Sequence, residues 1–252
     1  MDFLILHSIN CSTVIMNSFQ YIAAGEEGFK DVMFDHLLAA GFYRMQHLMF
    51  TCNETIINEE GDFIPVFWLR TLVNGFKPGR SAINIIKRCA GFSVNIQQAY
   101  VDDEVEDLYA RYKKNLQFTV PNACKDYLHQ QSLAQPFDSM MVQVRDNNTL
   151  VATGYFDRGK EAIAGIMNIY HPDYNTYSLG KFMMLQKLKY ALSNHMQFYY
   201  TGYISTQSTR FDYKMFPDIN AVEVLLPVEQ QWVPYHLLNK NFLAEYYSKF
   251  LV

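Results

Sequence analysis

The chain has 252 residues, 50% hydrophobic, 15% aromatic and only 18% charged. A chain of that size can bury roughly 70–75% of its extended surface, and with that composition the numbers exclude disorder and any need for disulfide or metal staples. They also exclude a spanning helix, because nowhere do 18 or more apolar residues run together. Its 21 Lys+Arg against 25 Asp+Glu give a net charge of −4, which as an average argues against a nucleic-acid partner, although an average says nothing about where the charges sit.

The first residues, MDFLILHSINCSTVIM, form an apolar start without Lys or Arg before Lys30, and His7 and Asn10 interrupt it. It reads as mature cytoplasmic sequence and not as a signal peptide, with Met16 an alternative start. The cysteines Cys11, Cys52, Cys89 and Cys124 make no CxxC pair, which fits a reducing compartment.

Asp31 to Gly41 carries Val32, Phe34, Leu37 and Leu38 near one helical face, with Gly41 as the stop. The runs FYRMQHLMF and DFIPVFWLRTL read as strands on either side of the polar turn CNETIINEEGD. The loop NGFKPGRS leads to a short helix, AINIIKRC. Five acids in residues 102–107 mark the start of a helix that ends near Lys114, where they face the positive end of its dipole.

A loop through PNACKDYLHQQS precedes three turn-punctuated strands, MMVQVRD, LVATGYFD and EAIAGIMNIY. HPDYNTYS is a loop, and Ser178 is the expected N-cap of a helix from Leu179 to Asn194. In that helix Phe182, Leu185, Gln186 and Leu192 mark one face and Lys181, Lys187 and Lys189 the other. The strand MQFYYTGYI, the segment RFDYKMF and a proline-broken tail close the chain. A three-strand meander, one helix, then another strand is an α+β order, with a domain boundary expected near residue 95.

The acids are not evenly spread. Residues 63–101 contain none, but hold Arg70, Lys77, Arg80, Lys87 and Arg88; residues 174–211 contain none, but hold Lys181, Lys187, Lys189 and Arg210. These windows carry +5 and +4, so the rest of the chain carries −13. A segregated basic face is what a phosphate-bearing ligand or nucleic acid requires.

Asn175-Thr-Tyr-Ser178-Leu-Gly180 lies between a strand and a helix N-terminus, a place where backbone N–H groups can hold a phosphate. GNAT acyltransferases grip acyl-CoA there with Q/R-x-x-G-x-G/A, of which only Gly180 is matched. Other pieces point elsewhere. They are Leu37-Leu38 through Gly41-Phe42-Tyr43-Arg44; Phe76-Lys-Pro78-Gly-Arg80-Ser81 with Arg88; Leu150-Val151-Ala152; Tyr170-His-Pro172-Asp173; and Ser178-Leu179-Gly180. Tyr200-Thr-Gly202-Tyr203-Ile204, Tyr213-Lys214 and Trp232 complete the set. In order and spacing, over roughly residues 35 to 232, the chain resembles the aminoacyl-tRNA–protein transferases of the N-degron pathway, the arginyl- and leucyl-transferases. The family's N-terminal cysteine pairs are absent, with Cys52 the one remnant, so no metal is carried over.

The resemblance implies a GNAT-like mixed sheet flanked by helices over residues 96–252, the catalytic domain, and a smaller N-terminal α+β region with the basic loop over residues 1–95. It implies transfer of Arg or Leu from aminoacyl-tRNA to the N-terminal α-amine of an acceptor protein or peptide that starts with an acidic residue. An aminoacyl ester is already activated, so alignment, removal of an amine proton and oxyanion stabilisation suffice, with no cofactor or metal. Tyr200 and Tyr203 are expected as hydrogen-bond donors, Asp212 as amine partner or base, and Lys214 as a charge for an acidic acceptor side chain. Arg80, Ser81 and Arg88 would hold tRNA phosphates, with Ser178, Gly180 and Lys181 at the second contact and Lys187 and Lys189 beside them. His171 abuts this site. Two further readings stay open at this point: an acyl-CoA-dependent GNAT enzyme, and a non-catalytic relative that binds RNA or a peptide N-terminus.

Overall fold

The computed structural model describes residues 19–25, 28–57, 61–116, 120–128 and 136–251. The readings on the first 18 residues, Cys11 and Met16 included, and on the last four residues of the loop PNACKDYLHQQS lie outside these.

The first described elements are β1 (Phe19–Ala23), α1 (Asp31–Ala39), β2 (Tyr43–Met45), β3 (Leu48–Cys52) and β4 (Glu54–Ile56). Helix α1 ends where expected. Gly41, at φ +84°, turns the chain, its N–H donates to Leu38 O and the Phe42 N–H to Leu37 O, the paired bonds of a glycine-terminated helix. The single strand expected over FYRMQHLMF is instead a hairpin, with β2 and β3 antiparallel and Gln46 at φ +55° in the turn. Polar Gln46 and His47 interrupt its apolar pattern. The polar turn that follows contains β4, which pairs with the next strand.

Then come β5 (Phe63–Leu72), α2 (Arg80–Arg88), β6 (Ser93–Gln98), α3 (Asp103–Lys113) and the short α4 (Lys125–Leu128). Asp102 caps α3 by accepting from the Val105 N–H at 3.0 Å. The strands β7 (Ser139–Asp146), β8 (Thr149–Arg158) and β9 (Ala162–Tyr170) form the expected meander. A 3-10 turn, Pro172–Tyr177, leads to α5 (Leu179–Ser193) and β10 (Phe198–Ser205). The chain closes with β11 (Val222–Leu226), β12 (Gln231–Pro234) and α6 (Lys240–Phe250).

Two sheets result. A small one has the order β1-β3-β2; the large one runs β12-β11-β5-β10-β9-β8-β7-β6, with β4 on the first part of β5. The antiparallel meander β6 to β9, a helical crossover through α5 and a parallel pairing of β9 with β10 make the sheet mixed. This is the expected α+β arrangement, a mixed sheet flanked by helices. The boundary expected near residue 95 falls inside β6. Strand β5, from the N-terminal side of it, is hydrogen-bonded between β10 and β11.

Helices α2 and α5 cover part of the sheet through Ile85, Val142, Phe156, Met183 and Leu188. A second core joins α1 and the small sheet to β5 and β10 through Phe34, Leu38, Tyr43, Met49 and Trp68. Further cores lie beneath α3 and α6. Among the described residues no helix is long and apolar enough to cross a membrane.

Candidate active site

Strands β9 and β10 pair in parallel over three positions only, Phe198 with Ala162, Tyr199 with Ile163 and Tyr200 with Ala164. Beyond that point both strands bulge. The register between β8 and β9 steps from Tyr155↔Met167 to Phe156↔Gly165, leaving Ile166 unopposed. On the far side of the gap, β10 steps past Thr201 in its pairing with β5. A bulge bends its strand and ends regular pairing, so β9 and β10 part.

Tyr43 marks the fork: its hydroxyl donates to Gly165 O on β9 and lies 3.1 Å from Tyr200 O on β10. Burial pushes this phenol well above its ordinary range, so it remains a donor at neutral pH.

The gap is a cavity of about 190 Å³. Gly165 to Asn168 form one side and Thr201 to Tyr203 the other, with Tyr43, Phe50 and Trp68 as aromatic wall. Met184 and Lys187 reach it from α5, and Tyr213 and Lys214 from the 3-10 turn Asp212–Met215. Its charged lining residues are Arg44, Lys187 and Lys214, with no carboxylate among the lining residues.

Lys214 lies over the rings of Tyr203 at 4.2 Å and Phe211 at 5.0 Å, and burial lowers it to about 8. Gly202, at φ +104°, makes room for it, since a Cβ there would stand 2.8 Å from Lys214 Nζ. Thr201 Oγ1 is buried with no hydrogen-bond partner. Tyr203 O–H lies 3.2 Å from Thr55 Oγ1 and is also raised by burial.

Arg44 is engaged within the fold. It donates to Gln46 O, Leu128 O, Ser139 Oγ and Asp157 Oδ1 and lies 4.3 Å from the Phe137 ring centre. Asp157 is itself wholly buried.

Two of the four residues expected to be catalytic, Tyr203 and Lys214, line this cavity. The other two do not. Tyr200 contributes its carbonyl at the fork, while its ring packs against Trp232 at 5.5 Å. Asp212 faces away to α6, where Lys240 Nζ holds both carboxylate oxygens at 2.8 and 3.0 Å. His171 accepts from the Asp173 N–H at 3.3 Å and is not a lining residue.

Ser178 takes the N-cap position of α5 in a left-handed conformation and makes no side-chain cap bond, contrary to expectation. Gly180 O accepts from Asn168 Nδ2 at 3.4 Å. Lys181 lies 5.2 Å from the Phe216 ring centre. Lys187 departs most from its expected place: at 1% exposure it faces the interior and not solvent. Arg70, counted in the first basic window, is paired with Glu223 at 2.6 Å.

Arg80, Ser81, Lys87 and Arg88 stand exposed on α2, whose buried side is Ala82 and Ile85, with Cys89 following. Sequence reasoning named no role for Tyr43, Arg44, Asn168 or Thr201. For Lys187 a signal existed, because Met183, Lys187 and Ala191 recur every four residues on one helical face. Among the described residues no cluster of three or more His, Cys, Asp or Glu could hold a metal.

The mixed sheet thus parts over a cationic, aromatic cleft. A family profile described as "Arginine-tRNA-protein transferase, C terminus" matches residues 104–218, the stretch from α3 past Lys214. Arginyl-tRNA–protein transferase 1 of Arabidopsis thaliana is 25% identical over 166 residues, 57% of this chain and 26% of that protein. An aspartate/glutamate leucyltransferase of Paramagnetospirillum magneticum is 26% identical over 192 residues, 73% of this chain and 74% of that one. The chain thus matches about a quarter of the plant protein's length and about three quarters of the bacterial one's. Among solved structures, the C-terminal domain of a putative lysylphosphatidylglycerol synthetase from Agrobacterium fabrum aligns at TM-score 0.43 and 12% identity, covering 67% of this chain and 57% of its own. At that score the likeness is loose and says nothing of function. Over these stretches the chain is similar to arginyl- and leucyl-tRNA–protein transferases.

Proposed function

We propose that this chain moves an amino acid, Arg or Leu, from the 3′ ester of a charged tRNA to the α-amine of an acceptor protein whose first residue is Asp or Glu. The observation that carries this reading is the cleft between β9 and β10. No carboxylate is among the residues that line it, and with Arg44 paired to Asp157 and Lys187 bonded to three oxygens of β8 and β9, Lys214 is the cation it presents. An acidic side chain beside an α-amine suits such a site, because a buried cation gains most from a desolvated anion.

In the reaction the neutral amine attacks the ester carbonyl, and a tetrahedral oxyanion forms. The C–O bond to the tRNA ribose then breaks as that oxygen takes up a proton. With a pKa of about 8 the amine is readily deprotonated near neutrality. Tyr203, a neutral phenol that lines the cleft, is the donor this reading assigns to the oxyanion. The outward side of α2, with Arg80, Lys87 and Arg88, lies in an acid-free stretch of chain and supports the tRNA-contacting role.

The test is incubation with tRNAs charged with labelled Arg or Leu and peptides beginning with Asp, Glu, Lys or Ala. Transfer is expected to the acidic peptides and not to the one beginning with Lys. No transfer from any charged tRNA, together with binding of acetyl-CoA, overturns the reading in favour of an acyl-CoA enzyme. Arg80→Ala and Arg88→Ala are each expected to weaken tRNA binding and to reduce the slope of log affinity against log salt by about 1. An unchanged slope in both variants removes α2 as the phosphate contact.

A further inference from the structure

Lys187 is a buried amine that the reaction as written does not use. Its Nζ donates to Tyr155 O at 2.7 Å, Asn168 Oδ1 at 2.9 Å and Met167 O at 3.3 Å. Tyr155 and Met167 are the last pair before the register breaks at Ile166, so the ammonium bonds both strands at the edge of the bulge. Three N–H donors meet three acceptors, which matches the inventory of a charged lysine.

The packing is built around this contact. Gly154 on β8 leaves the space, since a Cβ there would stand 2.3 Å from Asn168 Oδ1 and 3.3 Å from Lys187 Cε. A leucine would fill the same volume without the several kcal/mol that burying a charge costs. What the cation adds is its grip on β8 and β9, while Tyr43 holds the same stretch of β9 at Gly165 O.

We infer that Lys187 is a positioning residue: by fastening the bulge at Ile166 it sets the parting of β9 from β10, and with it the width of the cleft in which amine and ester meet. This rests on the reading of that cleft as the transfer site.

The charged and titratable groups around Lys187 are few. Asp157 on β8 favours its charged form but is paired to Arg44 of β2 at 2.8 Å. Tyr199 on β10 shares the cavity as a phenol raised by burial. Lys214 shares it as a cation. From α5 itself the neighbours at the same face are Met183 and Ala191. Burial brings Lys187 down to about 7. Above neutrality it therefore has two N–H groups for three acceptors, and the bulge loosens as pH rises.

Two variants and two readouts test this. In the wild type, the backbone amide resonances of Gly165, Ile166, Met167 and Asn168 are expected to titrate together near neutral pH. They cease to do so in Lys187→Met. In Asn168→Asp the added carboxylate holds the ammonium, and the midpoint moves up by about one pH unit. In the transfer assay, Lys187→Met lowers kcat by about ten- to a hundredfold with KM for charged tRNA unchanged, and Asn168→Asp extends activity to higher pH.

The inference falls if these amides do not titrate in the wild type, or if a cooperatively folded Lys187→Met keeps the wild-type kcat and pH profile. Should Lys187→Met fail to fold, the midpoint in Asn168→Asp decides, an unmoved one overturning the inference. A wild type that transfers nothing, yet shows the amide titration and its shift, removes the proposed reaction and leaves the role of Lys187 in the bulge standing.

Discussion

If the proposed transfer holds, Lys214→Met is expected to lower kcat/KM for a peptide beginning with Asp or Glu by about a hundredfold, about 2.7 kcal/mol at the transition state, and to leave the value for a peptide beginning with Ala unchanged. The physical reason is that Lys214 reaches the cleft against ring faces, with no acidic partner among the described residues. Its charge is thus available to a ligand, and hydrogen bonds to charged groups in such places contribute about 1.5–3 kcal/mol or more.

The pH dependence of Lys214 separates it from the substrate amine. Discrimination between Glu- and Gln-initiated peptides cancels the titration of their α-amines. In the wild type that ratio is expected to fall as pH rises through about 8, where Lys214 loses its charge. In the variant the ratio is small and flat.

Stability moves the other way. The pKa of Lys214 is depressed on folding, so between about 8 and the unfolded value near ~10.4 the unfolded chain binds more protons. Its charge is a cost at pH 7 that fades as pH rises through this window. Lys214→Met is therefore expected to melt above the wild type at pH 7, with the difference shrinking toward pH ~10. A variant that is more stable and still prefers acidic acceptors would sink the assignment, and thermal melts beside competition assays read both.

The largest stability effect is expected from Arg44→Ala, at about 3–5 kcal/mol, because it leaves a buried carboxylate without its cation. Arg44 ties β2 to β7 and β8 through Ser139 and Asp157 and also holds Leu128 O. Asp157 is 0% exposed, and its Oδ2 already lacks a hydrogen-bond partner. Burial raises Asp157 above its ordinary value, with Arg44 the largest opposing influence.

Without Arg44 the rise is greater, and the folded state holds a proton the unfolded chain has released. Stability of the variant then falls as pH rises above about 4, and denaturant melts at pH ~4 and ~7 should show the deficit growing. Arg44→Met with Asp157→Leu removes both charges and is expected to recover most of the loss. A single variant that melts like the wild type at both pH values would rule out this pair as a fold determinant.

Much of this molecule was legible before any coordinates. The meander, its crossover helix and the following strand were written in alternation and turn residues, and the stop at Gly41 and the acidic start of α3 were written in local capping chemistry. These are nearest-neighbour effects, carried by residues within one turn or one hairpin. The acid-free windows were also legible as arithmetic, but not their meaning. Arg70 lies in one and is paired with Glu223, far along the chain; Lys187 lies in the other and is buried.

Within the site the same line divides the residues. Tyr203 and Lys214 stood out by their place in a short motif, whereas Asp212 was drawn off by Lys240, a partner 28 residues away. By itself the sequence determined the α+β order of elements, the family likeness and the type of residue available at each position. The tertiary structure alone decided where β9 leaves β10, which cations face the gap and which are consumed as internal partners. Two bulges, each a single residue, open that gap, and a bulge is a mismatch of register between strands. Register belongs to the pair and not to either strand, so no reading of one strand could have placed the site.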